Sequence, residues 1–87
     1  MSDLDQLFEQ AAKDAKALPE RPDDDTLLKM YALYKQGSQG DVKGERPGFF
    51  DFVGGAKYEA WQKLAGTDAE DARSSYVELV RRLGGDV

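Results

Sequence analysis

The sequence predicts an all-α domain, a bundle of four helices with a long ordered loop between the second helix and the third. Apolar residues recur at helical period in four segments, glycine and proline separate those segments, and no segment shows the apolar and polar alternation typical of a β-strand. A chain of 87 residues has room for one domain of this kind, spanning residues 1–87.

The first helix is predicted over residues 3–18. Ser2, followed three residues later by Asp5, resembles a capping box with Asp in place of the usual Glu. Pro19 ends the segment because proline cannot continue a helix. The apolar stripe consists of Leu4, Leu7, Phe8, Ala11, Ala12, Ala15 and Leu18.

The second helix is predicted from about Asp24 to Gln36. Pro22 disfavours helix in the residue before it, and the aspartates at 23–25 suit a helix N-terminus, where carboxylates cap backbone N–H groups. On a helical wheel one broad arc collects Leu27, Met30, Tyr31, Tyr34 and Lys35. Lys35 is therefore expected beside an aromatic face.

A glycine-rich loop from Gly37 to about Gly54 comes next, followed by a short third helix over residues 55–65 with Gly66 as its C-cap. Loops of this length are usually functional or disordered. Four apolar residues favour order, because aromatic side chains in a loop generally pack onto a core. They are Phe49, Phe50, Phe52 and Val53.

The fourth helix is predicted to begin at a capping box formed by Thr67 and Glu70. Arginines at 81 and 82 complement the helix dipole in the last turn, and the glycines at 84 and 85 stop the helix. Its apolar positions are Ala69, Ala72, Tyr76, Leu79, Val80 and Leu83.

The composition excludes several classes of function. The chain has no cysteine and no histidine, so disulfides, thiolate metal sites and most hydrolytic mechanisms are not expected. Its net charge of −5 disfavours binding to nucleic acid or to anionic membranes. No apolar run reaches membrane-span length, and "MSDLDQLFEQ" lacks the features of a signal peptide. We expect a soluble, cytoplasmic monomer without cofactor and without stable membrane insertion.

Three local patterns resemble catalytic or metal-binding motifs and do not support them. The loop around Lys43 lacks the Gly-Lys-Ser/Thr order and the preceding strand of a phosphate-binding loop. The serines at 38, 74 and 75 have no histidine to activate them. The aspartates at 23–25 fit helix capping better than a metal site, because adjacent carboxylates on a helix face different directions.

The tyrosines and two of the lysines form the most informative pattern. Tyr31 and Lys35 are one helical turn apart, and Lys57 lies on the predicted buried side of the third helix. Tyrosines on an inner face can simply fill a core with the hydroxyl at its rim, and a lysine there can extend its ammonium group to water. Flat aromatic rings beside paired ammonium groups also suit a ligand with a planar base and a phosphate.

The segment "YALYKQGSQGDVKGERPGFFDFVGGAKYEAWQKLAG" resembles the central signature of the acyl-CoA-binding proteins: Tyr-x-x-Tyr-Lys-Gln, Gly-Asp, Arg-Pro-Gly, Asp-Phe, a lysine and Ala-Trp. The resemblance extends over essentially the whole chain. It implies a four-helix bundle that carries a long-chain acyl-CoA non-covalently in an exposed groove, as an intracellular carrier with no catalytic step.

The resemblance also implies which residues bind the ligand. The CoA head group is expected to contact Tyr31, Tyr34, Lys35, Lys57, Tyr76 and Lys16. The acyl chain is expected to lie near Phe8, Ala11 and Ala12. Val53 and Gly55 stand where many members carry lysines, so a weaker attraction for the phosphates is expected. Tyr58 stands where many members carry tryptophan.

Two other functions remain open at this point. A helical protein-interaction domain could bind an amphipathic partner helix in an apolar groove. An acyl-CoA thioesterase ranks third, because the chain lacks the histidine and cysteine that most such chemistry needs.

Overall fold

A computed structural model of the chain describes residues 3–87, and these residues contain only helices as regular structure. The all-α class is therefore confirmed, while the capping box predicted at Ser2 lies outside the described residues. Within this range, no helix combines the length and the apolar character needed to cross a membrane. The elements are α1 (Asp3–Asp14), a 3₁₀ turn (Ala15–Ala17), α2 (Asp24–Gln39), α3 (Phe52–Gln62) and α4 (Ala69–Arg82).

The helices lie side by side in the order α1, α4, α2, α3, because α1 packs on α4, α4 on α2, and α2 on α3. The molecule is correspondingly flat, with extents of 38 × 29 × 15 Å. Its main core lies between α1, α2 and α4, and α3 adds no buried side chain to it. The core residues are Phe8, Ala11, Met30, Leu33, Ala72, Tyr76, Val77 and Val80.

α2 continues to Gln39, three residues beyond the predicted end at Gln36. Gly37 is buried inside the helix, where a Cβ atom would stand 2.8 Å from Cγ of Arg73 and 3.2 Å from the ring of Phe8. Its carbonyl accepts a hydrogen bond from Nη1 of Arg73 at 2.9 Å. The prediction that Gly37 begins the loop was wrong. Gly37 lies inside α2, where the absence of a side chain lets Arg73 of α4 pack closely against the helix. Gly40, with φ of +80°, ends the helix instead.

Gln36 joins the two loops that follow α2 and α3. Its fully buried side chain donates from Nε2 to Oδ1 of Asp41 at 2.8 Å and to the carbonyl of Thr67 at 2.9 Å. The same Asp41 oxygen accepts from the backbone N–H of Gly66 at 2.8 Å. These hydrogen bonds lower the pKa of Asp41, the one from Gln36 most. We call Gln36, Asp41, Gly66 and Thr67 the loop junction.

α3 starts at Phe52 because Asp51 caps it, accepting from the N–H of Gly54 at 2.8 Å. The helix therefore begins and ends three residues before the predicted bounds of 55 and 65. The prediction that the aromatic residues of the preceding loop pack onto a core was wrong. Phe49, Phe50, Phe52 and Val53 are all exposed.

α4 begins at Ala69, and its N-cap is Asp68, whose Oδ1 accepts from the N–H of Glu70 at 2.8 Å. The predicted cap, Thr67, belongs to the loop junction through its carbonyl instead. At the other end, the N–H groups of Gly84 and Gly85 bond to carbonyls of the last helical turn at 3.1 and 2.9 Å. The glycine stop is confirmed.

Candidate functional site

Two lysine ammonium groups converge on one tyrosine where α2 packs on α3. The Nζ atom of Lys35 lies 5.9 Å from the centre of the Tyr31 ring, and that of Lys57 lies 5.3 Å from it. Lys35 also lies 5.4 Å from the centre of the Trp61 ring. Aromatic rings attract cations at these distances. We call Tyr31, Lys35 and Lys57 the cationic cluster.

Within the described part of the chain, no carboxylate neutralises the positive charge of the cationic cluster. Among residues 3–87, neither Lys35 nor Lys57 takes part in an ion pair, and both side chains retain contact with solvent. Holding two like charges near one ring costs free energy unless an anion joins them. The arrangement can therefore bind a phosphate through charge-assisted hydrogen bonds, although the chain as a whole carries a net charge of −5.

Three aromatic rings from three helices meet at Tyr34, which precedes Lys35 in α2. Phe8 of α1 stacks on Tyr34 of α2 with ring centres 5.3 Å apart, and its edge meets Tyr76 of α4 at 5.4 Å. Tyr34 and Tyr76 lie 5.7 Å apart. Phe8 and Tyr76 are buried, while Tyr34 is 40% exposed. Tyr34 is thus the member that offers a ring face to a ligand.

Burial raises the pKa of Tyr76, and the neighbouring Tyr34 raises it further. The Tyr76 phenol consequently stays protonated throughout the neutral pH range. It can donate a hydrogen bond to an oxygen of a bound molecule without contributing a negative charge that would repel a phosphate.

An apolar groove of about 450 Å³ lies between the first turns of α2 and α3. Lys57 lines this groove and also belongs to the cationic cluster, so the groove and the cluster are continuous. Arg21 and Asp24 contribute the other polar groups. The apolar lining consists of Leu27, Leu28, Phe52, Val53 and Ala56. A flexible hydrocarbon chain can lie here while a charged group stays with the lysines.

A second groove of about 360 Å³ shares Leu28 and Ala56 with the first. Its charged residues are Asp25, Lys29, Glu59 and Lys63, and it contains none of the site residues predicted from the sequence, whereas the first groove contains Lys57. The side of the α2 and α3 pair that carries the cationic cluster is therefore the better candidate.

The structure gathers six of the nine predicted site residues into two groups, the cationic cluster and the three aromatic rings, and leaves three outside them. Lys16 is exposed in the 3₁₀ turn, and no described contact joins it to the cluster. Ala11 is completely buried in the core, with Ala12 packed at the core's margin. In residues 3–87, no group of acidic side chains converges in a way that could hold a metal ion.

The lining of the apolar groove is the part that sequence reasoning missed. The sequence placed Leu27 on the tyrosine arc of the second helix and Lys57 on the buried side of the third helix. Those two stripes are a usable signal for a groove only when the pairing of α2 with α3 is known, and periodicity within one helix does not contain that information.

Comparison with known proteins gives a consistent result. The family model described as acyl CoA binding protein matches residues 5–80. Acyl-CoA-binding protein of Saccharomyces cerevisiae is 46% identical over 80 residues, which cover 92% of each chain. Acyl-CoA-binding protein homolog 1 of Caenorhabditis elegans is 46% identical over 76 residues, 87% of this chain and 88% of the relative.

A solved structure agrees with these relatives in fold. The crystal structure of Oryza sativa Acyl-CoA-Binding Protein 2 superposes with a TM-score of 0.87 at 36% identity, covering 92% of this chain and 89% of that one. Neither the family match nor these relatives favour a helix-binding module. The chain belongs to the acyl-CoA-binding protein family.

Proposed function

We propose that this protein binds long-chain fatty acyl-CoA esters non-covalently and acts as an intracellular carrier that forms a pool of them. The observation that carries the proposal is the continuity of two unlike surfaces. Two ammonium groups that form no ion pair within residues 3–87 lie 5.9 and 5.3 Å from the centre of the Tyr31 ring, and Lys57 joins them to an apolar groove of about 450 Å³. A ligand with phosphates at one end and a hydrocarbon chain at the other matches both.

The head group is held by the cationic cluster in this proposal. Lys35 and Lys57 bond to phosphate oxygens, and the rings of Tyr31 and Tyr34 lie against the adenine. Each charge-assisted hydrogen bond contributes about 1.5–3 kcal/mol. Tyr76, protonated at neutral pH, donates from its hydroxyl, and Lys16 approaches the head group from the 3₁₀ turn.

The acyl chain supplies most of the affinity. If about ten methylenes leave water at about 0.8 kcal/mol each, the gross gain is about 8 kcal/mol. Leu27, Val53 and Ala56 line the groove that receives the chain. The proposal also keeps Phe8, Ala11 and Ala12 of α1 near the acyl chain. The acyl chain thus provides most of the binding free energy, while the CoA head group provides the specificity for CoA esters.

The protein has no catalytic step in this proposal and works as a monomer in the cytoplasm. With no histidine or cysteine in the sequence, hydrolysis of the thioester has no evident base or thiolate nucleophile. Incubating the protein with palmitoyl-CoA and assaying free thiol should give no release above the protein-free control. Release at a rate proportional to protein concentration would overturn this part.

Isothermal titration tests the proposal directly. Affinity should rise from acetyl-CoA through octanoyl-CoA to palmitoyl-CoA, because each added methylene leaves water until the groove is filled. Free CoA and free palmitate are the matched controls, since each carries one half of the ligand, and both should bind more weakly than palmitoyl-CoA. Equal affinity for acetyl-CoA and palmitoyl-CoA would contradict it.

A further inference from the structure

α3 buries one side chain, and that side chain lies outside the main core. Trp61 is 6% exposed and is the buried residue of α3, yet it is not among the core residues of α1, α2 and α4. It is also absent from the lining of the apolar groove. Tryptophan carries a large apolar ring and a polar N–H. Its burial away from both core and groove indicates a local task.

The edge of the indole ring holds the end of α2. Its Nε1–H donates to the carbonyl of Gly40 at 2.8 Å. Gly40 is the residue at which α2 ends, with φ of +80°. This hydrogen bond satisfies the buried indole N–H and fixes the ring beside the last turn of α2. The face of the ring is left for another contact.

The face of the ring meets the ammonium group of Lys35. The Nζ atom lies 5.4 Å from the centre of the Trp61 ring and 5.9 Å from that of the Tyr31 ring. Tryptophan attracts a cation more strongly than tyrosine or phenylalanine does. Trp61 is therefore both the nearer and the stronger of the two rings that attract Lys35.

The two helices present their lysines and aromatic rings in opposite order. α2 carries Tyr31 and, one turn later, Lys35, whereas α3 carries Lys57 and, one turn later, Trp61. Each lysine thus meets an aromatic ring of the opposite helix, Lys57 that of Tyr31 at 5.3 Å and Lys35 that of Trp61 at 5.4 Å. Because each ammonium group has its own ring, two like charges are held near each other in separate places.

A fixed ammonium group binds an anion better than a mobile one. The lysine side chain is a flexible four-carbon stem, and immobilising such a side chain on binding costs free energy. A ring that holds the ammonium group before the ligand arrives reduces this cost. Trp61 is buried, so it acts on a ligand through Lys35 and not by contact.

We propose that Trp61 is a positioning residue of the site: its ring face holds the ammonium group of Lys35 where a phosphate of the CoA head group binds. The hold on Lys35 is a property of the protein without ligand. Its effect on affinity rests on the proposed function. The two parts are therefore tested by separate measurements.

Fluorination of the indole ring tests the effect on affinity. The sequence contains one tryptophan, so growth on fluorinated tryptophans modifies Trp61 alone. Fluorine withdraws electron density from the ring face and leaves the N–H in place. The Kd for palmitoyl-CoA should rise with the number of fluorine atoms, by about three- to tenfold in total, as the attraction for Lys35 weakens. An unchanged Kd would overturn the proposal.

Lysine variants show whether the effect passes through Lys35. In Lys35→Met, fluorination should leave the Kd unchanged, whereas in Lys57→Met it should retain its full effect, because Lys57 lies over Tyr31. The factor should also be the same for octanoyl-CoA and palmitoyl-CoA, since Trp61 does not line the apolar groove. Equal effects of fluorination in the two lysine variants would assign Trp61 a structural role only and overturn the proposal.

Nuclear magnetic resonance of the protein without ligand tests the hold on Lys35. The ε-methylene protons of Lys35 should resonate upfield of those of an exposed lysine such as Lys29, because they lie over the face of an aromatic ring. Trp61→Leu should remove most of this shift. An unshifted Lys35 resonance in the unchanged protein would overturn the proposal, whether or not acyl-CoA binds.

A matched core variant separates positioning from stability. Trp61→Leu should raise the Kd for palmitoyl-CoA by about tenfold. Val77→Ala also removes part of a buried side chain, in α4, and should lower the free energy of unfolding without changing the Kd of the folded protein. An equal rise of the Kd in both variants would contradict positioning by Trp61. Failure of the unchanged protein to bind palmitoyl-CoA would refute the proposed function, and the Lys35 resonance would still decide whether Trp61 holds that side chain.

Discussion

Lys35 and Gln36 are neighbours in the sequence, yet they belong to regions built in opposite ways. Gln36 is completely buried in the loop junction and donates two hydrogen bonds there. Lys35 belongs to the cationic cluster, where its Nζ atom lies 5.9 and 5.4 Å from the centres of two rings and has no ion-pair partner among residues 3–87. One turn of α2 thus carries both Gln36, which stabilises the loop junction, and Lys35, whose charge is available to a ligand.

The difference separates stability from binding. The amide nitrogen of Gln36 donates both of its hydrogen bonds inside the protein and so stabilises the fold, while its buried Oε1 accepts none among residues 3–87. Charges held close together without partners stabilise little and can interact strongly with an anion. Substitutions in the loop junction should therefore change unfolding, and substitutions in the cationic cluster should change affinity.

The largest effect is expected for Gln36→Ala. It removes the donors to Asp41 and Thr67 and leaves a cavity at a fully buried site, so the free energy of unfolding should fall by about 3 kcal/mol. Urea denaturation followed by circular dichroism measures it. Gln39→Ala, at an exposed position on the same helix, is the control and should cost less than about 1 kcal/mol. A similar loss of unfolding free energy in both variants would show that the loop junction has no special role in stability.

The next largest effects are expected for Lys35→Ala and Lys57→Ala. Each should weaken ligand binding and leave the free energy of unfolding nearly unchanged. Each should raise the Kd for palmitoyl-CoA by about ten- to a hundredfold, since a charge-assisted bond of about 1.5–3 kcal/mol is lost. Unfolding should change by less than about 1 kcal/mol. Lys29→Ala, in the second groove, is the control for both measurements. Unchanged titrations for the two cluster variants would show that their ammonium groups are merely solvated.

A smaller effect is expected for Gly37→Ala, where two terms compete. Alanine is favoured over glycine in a helix by about 1 kcal/mol, but the new Cβ would stand 2.8 Å from Cγ of Arg73. Overpacking costs about 1–3 kcal/mol, so a net destabilisation of about 1 kcal/mol is expected. Arg73 is anchored to the Gly37 carbonyl, which limits its retreat.

Gly55→Ala is the matched control for Gly37→Ala. Gly55 is also helical, but a Cβ there would meet only Nη2 of Arg46, at 3.8 Å. This variant should therefore stabilise the protein by up to about 1 kcal/mol. Opposite signs in urea denaturation would support close packing at Gly37. Stabilisation by both substitutions would argue against it.

The smallest effect concerns acid stability. The pKa of Asp41 is lowered in the folded protein by the hydrogen bond from Gln36 and that from the N–H of Gly66. Its contribution is therefore present above the unfolded pKa and is lost as the pH falls through the folded pKa. Asp41→Asn should flatten the fall in stability below about pH 4. Thermal unfolding across that range measures it.

Asp86→Asn controls for the change in net charge, because it removes an exposed carboxylate near the end of the chain. Asp41→Asn should flatten the slope of stability against pH more than Asp86→Asn does, because Asp41 accepts the hydrogen bonds of the loop junction. If the two variants had the same effect, Asp41 would act through its charge alone and not through the loop junction.

The sequence by itself determined the helical class, because the apolar period and the capping residues act within single segments. It also determined the family, because the ordered signature from Tyr31 to Gly66 is a property of the chain. Helix ends were less accurate. Asp68 caps α4 in place of Thr67, since two adjacent residues could both cap and only the loop junction decides between them.

The contacts between α2 and its neighbouring helices were decided only by the tertiary structure. Gly37 looked like a loop residue, but it lies where α4 comes too close for a side chain. Phe49 and Phe50 looked like core residues, but the turn at Asp51 holds them in solvent. The apolar groove and the convergence of Lys57 on Tyr31 arise because α2 packs on α3. Such contacts join residues far apart in sequence, so no local pattern encodes them.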